Sequence, residues 1–502
     1  MGVNVILPTG TTITYDIRVD WNNDGDFIDA NEDISADVKG FSWERGKDEK
    51  LPFDLVKANT GMCNLTVFND NKKYTPSYSG GVLYGNLLPR RAVRVQITMG
   101  GLTYNSFYGY IEKIIPYPRA AERYATIFCV DGMDYLNLQA ALCGLQENQY
   151  TGVLIGSLLD AAAWPAAKRT IDTGISLITL WFSEGTAIGE IRKLEDTELG
   201  FFYVDGSGNA IWEDRHHRLK TDHLISQATF ANVMADVPYE YGARSIYNRV
   251  KAEMIPHTLQ VLAEIWQLVD VAAGETQAGV PQLGTGEAKT FYAEYANFAR
   301  EVVSPAATTD YLANTAADGS GTNMTASISV AFTSYSNGAK LVVTNNAAVL
   351  VYVTFLRIRG KVYLDGEPIK AFAEDAISQG KYQLREVVLP GQFISDINEA
   401  DSLCKYALSL RKDPQPEFEI KLIGSTDALV TQILARAISD RVTITCDELG
   451  ISAKDYSINK IAVEVRDGGK SIGATWTLAE ASYEEYWVLG TSALGTGTKL
   501  GY

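Results

Sequence analysis

The residues best suited to chemistry lie in one acidic turn near the start of the chain. Acidic or amide side chains occupy its first, third and fifth positions, and a glycine follows them. A calcium loop begins this way, because Ca²⁺ takes several hard oxygen ligands on a tight turn. The pattern fails at position twelve, where Asn31 stands and Glu32 falls one residue late. A polar turn without metal, bent at Asp24-Gly25, is the alternative. The candidate ligands of a structural Ca²⁺ are Asp20, Asn22, Asp24 and Asp26.

A histidine pair offers a second set of possible metal ligands. His216-His217 lies next to Glu213 and Asp214. Adjacent residues on a strand point to opposite faces, so two neighbouring histidines rarely hold one ion. The alternative interpretation is the solvated end of a strand that starts at Ala210.

Signals for catalysis are weak. Gly469-Lys470-Ser471 resembles the end of a phosphate loop, but Glu464 stands where the first glycine of that loop belongs. A hairpin turn explains the segment more simply. The chain has no HExxH motif. An acidic run on a predicted helix surface is typical of a solvated face; its residues are Glu195, Asp196 and Glu198. We therefore expect no enzyme and no certain cofactor.

Composition bounds the function further. The 502 residues carry a formal net charge of −17, so the chain is poorly suited to gripping DNA or an anionic membrane. It could still line a passage through which DNA moves. The 46% hydrophobic share and the 43 glycines suit a turn-rich β protein with large cores.

We expect no direct membrane insertion, since no window approaches the roughly 18 consecutive apolar residues of a membrane span. The five cysteines, which form no CxxC pair, are expected to be reduced core residues.

Hydrophobic periodicity predicts the elements that position these residues. Ile13, Tyr15, Ile17 and Val19 alternate with polar residues, and the stretch from Val93 to Ile97 does the same, which is typical of half-buried strands. Helices are predicted over Val153 to Ala163, Thr186 to Leu199, Ser395 to Arg411 (capped by Ser395) and Asp427 to Ile438. Asp205 to Asn209 predicts a hairpin between Phe201 to Val204 and Ala210 to Asp214.

These elements predict a mainly β fold with α+β segments, two β-barrel-like domains and a small inserted β domain. The predicted segments are a first barrel (1–137), an α+β domain (138–235), strands of the second barrel or a linker (236–300), an inserted sandwich-like domain (301–362), an α+β segment with a long helix (363–415), a second barrel (416–485) and an apolar C-terminal arm (486–502).

A series of short phrases carries a family resemblance through its order. The phrases are Ala58 to Gly61, Tyr74 to Pro76, Leu88 to Arg90, Phe107 to Ile111, Asp131 to Leu136, Gly200 to Asp205, Ile438 to Val442, Asp455 to Ile458 and Ala474 to Leu478. In this order they resemble the tail-tip or baseplate hub proteins of siphovirus-like tailed bacteriophages, including the hub domain of tail-associated lysins. The resemblance implies two β barrels per chain with αβ domains, and three chains in a ring with pseudo-sixfold symmetry.

The resemblance also implies a structural role at the tail tip of the virion. The expected chain is made in the host cytoplasm, forms a homotrimeric ring that closes the tail tube, and lets DNA pass during genome ejection. Its expected partners are the tail tube or distal tail protein, the tape-measure protein, and receptor-binding or central fibre proteins that serve host attachment. The alternatives are a distal tail ring protein and a carbohydrate- or receptor-binding tail module.

Overall fold

Alternating apolar residues build the first β region of the computed structural model, which describes residues 2–47, 57–119, 122–335, 337–391 and 393–481. Ile13, Tyr15, Ile17 and Val19 are all buried, as the period of two predicts. The elements of this region are β1 (Val3–Ile6), β2 (Thr12–Val19), β3 (Val38–Gly46), β4 (Asn59–Phe68), β5 (Ala92–Met99), β6 (Leu102–Pro118), β7 (Arg123–Val130) and α1 (Met133–Leu138).

Helices and short strands then form an α+β region that packs on the first β region. The elements of this α+β region are β8 (Cys143–Tyr150), α2 (Thr151–Ala161), β9 (Arg169–Ile171), β10 (Leu177–Ser183), α3 (Ala187–Glu198), β11 (Phe201–Val204), β12 (Ala210–Glu213), α4 (Thr221–Leu224), β13 (Ala228–Ala231) and β14 (Tyr239–Glu240). β11 and β12 form the predicted hairpin, with Phe201 opposite Glu213. Thr186 caps α3 by accepting a hydrogen bond from the Gly189 amide, and the helix ends at Leu199 in a left-handed conformation.

One long strand, β24 (Val351–Asp365), pairs with every other strand of the main sheet of the inserted β domain. Six strands share its sheet, and a three-stranded sheet packs on the same core. The strands from here through the insert are β15 (Arg249–Met254), β16 (His257–Leu259), β17 (Ala263–Asp270), β18 (Gln282–Leu283), β19 (Ala288–Glu294), β20 (Ala299–Val303), β21 (Tyr311–Asn314), β22 (Ile328–Ser334), β23 (Gly338–Asn345) and β24 (Val351–Asp365). Since β17 pairs with β24, strands of this sheet begin well before the predicted boundary at 301.

A long helix covers a small sheet after the insert. The elements are β25 (Ile369–Glu374), α5 (Ala376–Tyr382), β26 (Glu386–Leu389) and α6 (Ile397–Arg411). β15 pairs with both β25 and β26, so it lies in this sheet, whereas the sequence predicts strands of the second barrel or a linker over 236–300. Asp396 rather than the predicted Ser395 caps α6, because its carboxylate accepts hydrogen bonds from the Asn398 and Glu399 amides. The Ser395 hydroxyl instead contacts Thr179, 2.7 Å away.

The last β region closes the chain onto its start. Its elements are β27 (Glu417–Ile423), α7 (Asp427–Ala435), β28 (Arg441–Cys446), β29 (Ile451–Arg466) and β30 (Ser471–Glu480). β29 pairs with β3 in antiparallel register, from Lys460 opposite Gly46 to Val465 opposite Phe41. The two β regions are therefore parts of one 13-stranded sheet, ordered β1-β2-β5-β6-β7-β4-β3-β29-β30-β27-β14 along its main path.

Among the described residues, this arrangement produces three hydrophobic cores. The largest combines both β regions with α2 and α3, and includes Trp43, Trp181 and Trp476. The insert has its own core around Leu341 and Val353. The third core lies between α6 and the sheet of β15, β25 and β26.

The mainly β class with α+β segments is confirmed. The predicted arm at 486–502 lies outside the described residues. All five cysteines are free; Cys143 is half-buried and the other four are buried. In the part of the chain that the structure describes, every helix is too short or too polar to cross a bilayer.

Gly46 tests the contact between the two β regions. Its φ is +108°, and a Cβ atom would lie 2.2 Å from the carbonyl oxygen of Asn459 in β29. Gly10 has a similar φ of +92° but open space around it. Gly10→Ala should cost about 1–2 kcal/mol of stability through backbone strain alone. Gly46→Ala should cost clearly more, because β29 must also shift. Denaturant unfolding of both variants measures the difference, and equal costs would show that β3 does not approach β29 this closely.

Candidate metal centre and buried charge networks

The acidic turn between β2 and β3 wraps around one carboxylate. Asp20 is 2% exposed. Its carboxylate oxygens accept hydrogen bonds from three turn amides: Asn23 at 2.5 Å, Asp24 at 3.2 Å and Gly25 at 3.0 Å. Positive φ angles at Asn23 and Gly25 allow this tight wrap. The Asp20 side chain is thus fixed in direction before any ligand binds.

Two of the four predicted ligands, Asp20 and Asp24, lie close together. The third member of the group is Glu32, which follows position twelve of the calcium-loop pattern by one residue. Ligand oxygens of Asp20, Asp24 and Glu32 all lie within 4.8 Å of one another. Asn22 donates instead to Asp24 and Asp29, and the Asp26 carboxylate accepts from the Ile28 amide at 3.0 Å. The predicted set of Asp20, Asn22, Asp24 and Asp26 therefore does not form the cluster as a unit.

Glu32 reaches the cluster because the turn takes in one extra residue. Asn31 has a φ of +72°, and its carbonyl oxygen accepts a hydrogen bond from the Trp21 indole at 3.1 Å. The Glu32 carbonyl accepts from the Val19 amide at 2.9 Å, which returns the chain beside β2. Burial and the neighbouring carboxylates raise the pKa of Glu32. An acid one position after the usual closing ligand was the signal for this residue.

The acidic run on α3 is not a solvated face, and that prediction is wrong. Glu195 and Glu198 are both fully buried, because β11 and the segment before β10 cover them. Glu195 accepts a hydrogen bond from the Phe202 amide at 2.7 Å. Glu198 accepts from the Thr151 hydroxyl at 2.9 Å and the Ser176 amide at 2.8 Å. These carboxylates therefore hold the α+β region together. Burial raises the pKa of Glu198, although Arg215 opposes the rise.

Arg215 connects α3 to the long helix α6. Its guanidinium donates to the Ser176 hydroxyl and to Glu399 of α6, each at 2.9 Å, and lies 3.7 Å from Glu198. The Arg215 carbonyl accepts from the Tyr406 hydroxyl of α6 at 2.7 Å. The largest core and the α6 core are thus joined through a buried charge.

The histidine pair forms structural contacts in two directions. Nδ1 of His217 lies 2.7 Å from the Asp172 carboxylate, whereas the His216 ring packs edge-on against Tyr406. Both histidines are partly buried, so the expected solvated strand end is wrong. In the described residues they do not belong to a group of three close metal-ligand atoms.

Gly469-Lys470-Ser471 is the predicted hairpin turn, between β29 and β30. Gly468 and Gly469 have positive φ angles, and the Gly469 carbonyl accepts from the Tyr15 hydroxyl at 2.7 Å. With Gly473 the segment also has the Gly-x-Ser-x-Gly spacing of a nucleophile elbow. An elbow needs a strand followed by a helix, whereas β30 follows here.

Comparison with known proteins identifies the fold. No protein-family model and no curated protein matches the chain. The crystal structure of the 43 kDa tail protein of prophage MuSo2 from Shewanella oneidensis matches with a TM-score of 0.50 and 12% identity, over 93% of this chain and 98% of that chain. The fold is similar to that of a phage tail protein.

Two further tail proteins match over similar lengths. The tail protein of Neisseria meningitidis MC58 has 8% identity and a TM-score of 0.47, over 93% of this chain and 96% of that one. Prophage tail protein gp18 of Listeria monocytogenes EGD-e has 10% identity and a TM-score of 0.41, over 93% and 95%. The match to the MuSo2 protein confirms the predicted resemblance to phage tail proteins at the level of the fold.

Arg215 allows a test of the buried network. Arg215→Met should destabilise the protein by about 3–5 kcal/mol, because Glu198 is left buried without its counter-charge. The double variant Arg215→Met with Glu198→Leu should recover part of this loss. Arg466, whose side chain is 68% exposed beside Glu464, is the control, and Arg466→Met should cost no more than about 0.5 kcal/mol. Denaturant unfolding decides, and equal costs at the two arginines would contradict the network.

Proposed function

We propose that the chain is a structural protein of the phage tail tip or baseplate hub. It forms a ring that closes the tail tube, anchors tail-tip or receptor-binding parts, and opens for DNA during ejection. The observation that carries this proposal is the match to the 43 kDa prophage tail protein, which extends over 93% of this chain and 98% of that one. A match over nearly the whole of both chains leaves the role of a tail component, rather than of an appended module, as the simplest one.

The way the β regions and α6 are joined suits a protein that transmits force. The main sheet contains strands from both the first and the last β region, which are joined through the hydrogen bonds between β3 and β29. Buried charges, exemplified by Arg215, tie α6 to the α+β region. The buried carboxylates of α3, Glu195 and Glu198, accept hydrogen bonds from backbone amides. The role proposed is therefore mechanical and not enzymatic.

Strand edges provide a way for copies to join. In the described part of the chain, β1 pairs with β2 alone, so its other edge faces outward. Exposed strand edges invite pairing with another chain, and a closed ring removes them. The ring proposed is a homotrimer located at the virion tail tip, after synthesis in the host cytoplasm. Its partners are the tail tube or distal tail protein, the tape-measure protein and receptor-binding or central fibre proteins.

The acidic balance fits a passage for DNA. The net charge of −17 repels the phosphate backbone, so DNA moves through the ring without specific binding. A basic lumen in the assembled ring would contradict this part of the proposal.

The mass of the native assembly tests the proposal. A particle of three chains is expected, and antibodies against the protein should label the end of the tail in electron micrographs of virions. Six chains would instead favour the distal tail ring. A monomer that binds a glycan array would favour the carbohydrate- or receptor-binding module, and both results would overturn the trimeric hub.

A further inference from the structure

We propose that the turn between β2 and β3 is a Ca²⁺ site whose protein ligands are Asp20, Asp24 and Glu32. Their ligand oxygens lie within 4.8 Å of one another. Ca²⁺ binds oxygen at about 2.3–2.6 Å, so two ligands on opposite sides of the ion are roughly 5 Å apart. All three oxygens can therefore share one coordination sphere without a large movement of the chain.

Glu32 provides an independent reason to expect a cation. The residue is 1% exposed. One of its oxygens accepts from the Asp29 amide at 3.0 Å, but the other, Oε1, is buried and has no hydrogen-bond partner among the described residues. A buried carboxylate oxygen without a partner is costly, and a metal ion is one of the few groups that compensates it.

The turn carries no positively charged side chain of its own. The segment from Asp20 to Asp33 contains six acidic residues and no lysine or arginine. Arg18, immediately before the turn, pairs with Asp16 and Asp33. No described lysine or arginine forms an ion pair with the three proposed ligands. A divalent cation would offset this concentration of negative charge.

The rest of the turn is arranged for an ion. Three turn amides hold the Asp20 carboxylate in place. The Asn22 amide contacts Asp24 at 2.9 Å and so orients that ligand. Hard carboxylate oxygens in this irregular arrangement favour Ca²⁺ over Mg²⁺, which demands a stricter octahedral geometry and keeps more water.

The bound ion stabilises the place where the α+β region docks on the first β region. Phe27, at the far side of the turn, packs against Tyr108 with ring centroids 6.3 Å apart, and Arg94 lies over its ring. Tyr108 also contacts Lys168 of the α+β region, whose ammonium lies 5.5 Å from the ring centroid. Fixing the turn therefore fixes this aromatic contact.

Calcium titration of the full chain, after removal of metal with a chelator, tests the site. Isothermal titration calorimetry with CaCl₂ should detect one ion per chain. Tb³⁺, which replaces Ca²⁺ at oxygen sites, should luminesce on excitation of the adjacent Trp21. The melting temperature should rise with CaCl₂ and not with the same concentration of MgCl₂. No measurable binding at millimolar CaCl₂, or an equal rise with MgCl₂, would overturn the proposal.

Matched variants separate this ligand set from general acidity. Glu32→Gln and Asp24→Asn should each weaken Ca²⁺ binding at least tenfold. Asp26→Asn removes one charge from the same turn but no proposed ligand, and should weaken binding less than threefold. In chelator, Glu32→Gln should melt no lower than the wild type, since it removes a buried charge, which also shows that the variant folds. Wild-type affinity in Glu32→Gln, or equal losses in Glu32→Gln and Asp26→Asn, would overturn the assignment.

Discussion

The antiparallel pairing of β3 with β29 is the contact on which the rest of the molecule depends. It joins residues more than 400 positions apart, from Phe41 opposite Val465 to Gly46 opposite Lys460. Both strands have further partners on their other sides, so the joint is interior to the sheet and presents no edge. Closing so long a loop costs entropy only once, and that cost is offset by the shared core around Trp43 and Trp476.

The regions between β3 and β29 in the chain are connected to that sheet in sequence. The α+β region covers it, and its hairpin turn meets β6, where the Asn105 amide donates to the Ser207 hydroxyl at 2.9 Å. Arg215 then carries the connection to α6, which holds a second sheet. The insert has a hydrophobic core of its own, so substitutions there need not disturb the core of the main sheet. This hierarchy fits the tail role proposed above, in which the main sheet transmits force while the separately packed insert is free to differ.

The sequence predicted those elements whose signals lie within a few residues of one another. The strands β2 and β5, the hairpin of β11 and β12, and the helix α3 follow from alternation, turn residues and helical periodicity, whose signals lie close together in sequence. The pairing of β17 with β24 and the burial of Glu198 depend on partners far away in the chain, and no short pattern contains that information. The acidic turn lies between these cases. Asp20 and Asp24 were predictable, but Glu32 joins them only because Asn31 adopts a left-handed conformation.

Native-state hydrogen exchange at the joint between β3 and β29 tests the account most directly. If the two ends of the chain form one folding unit, the interior amides of β3 and β29 exchange only through global unfolding, with the same free energy as those of β4 and β30. Protection of β29 and β30 that is lost at a much lower free energy than protection of β4 and β7 would contradict the account, because it would mean that the two β regions unfold separately.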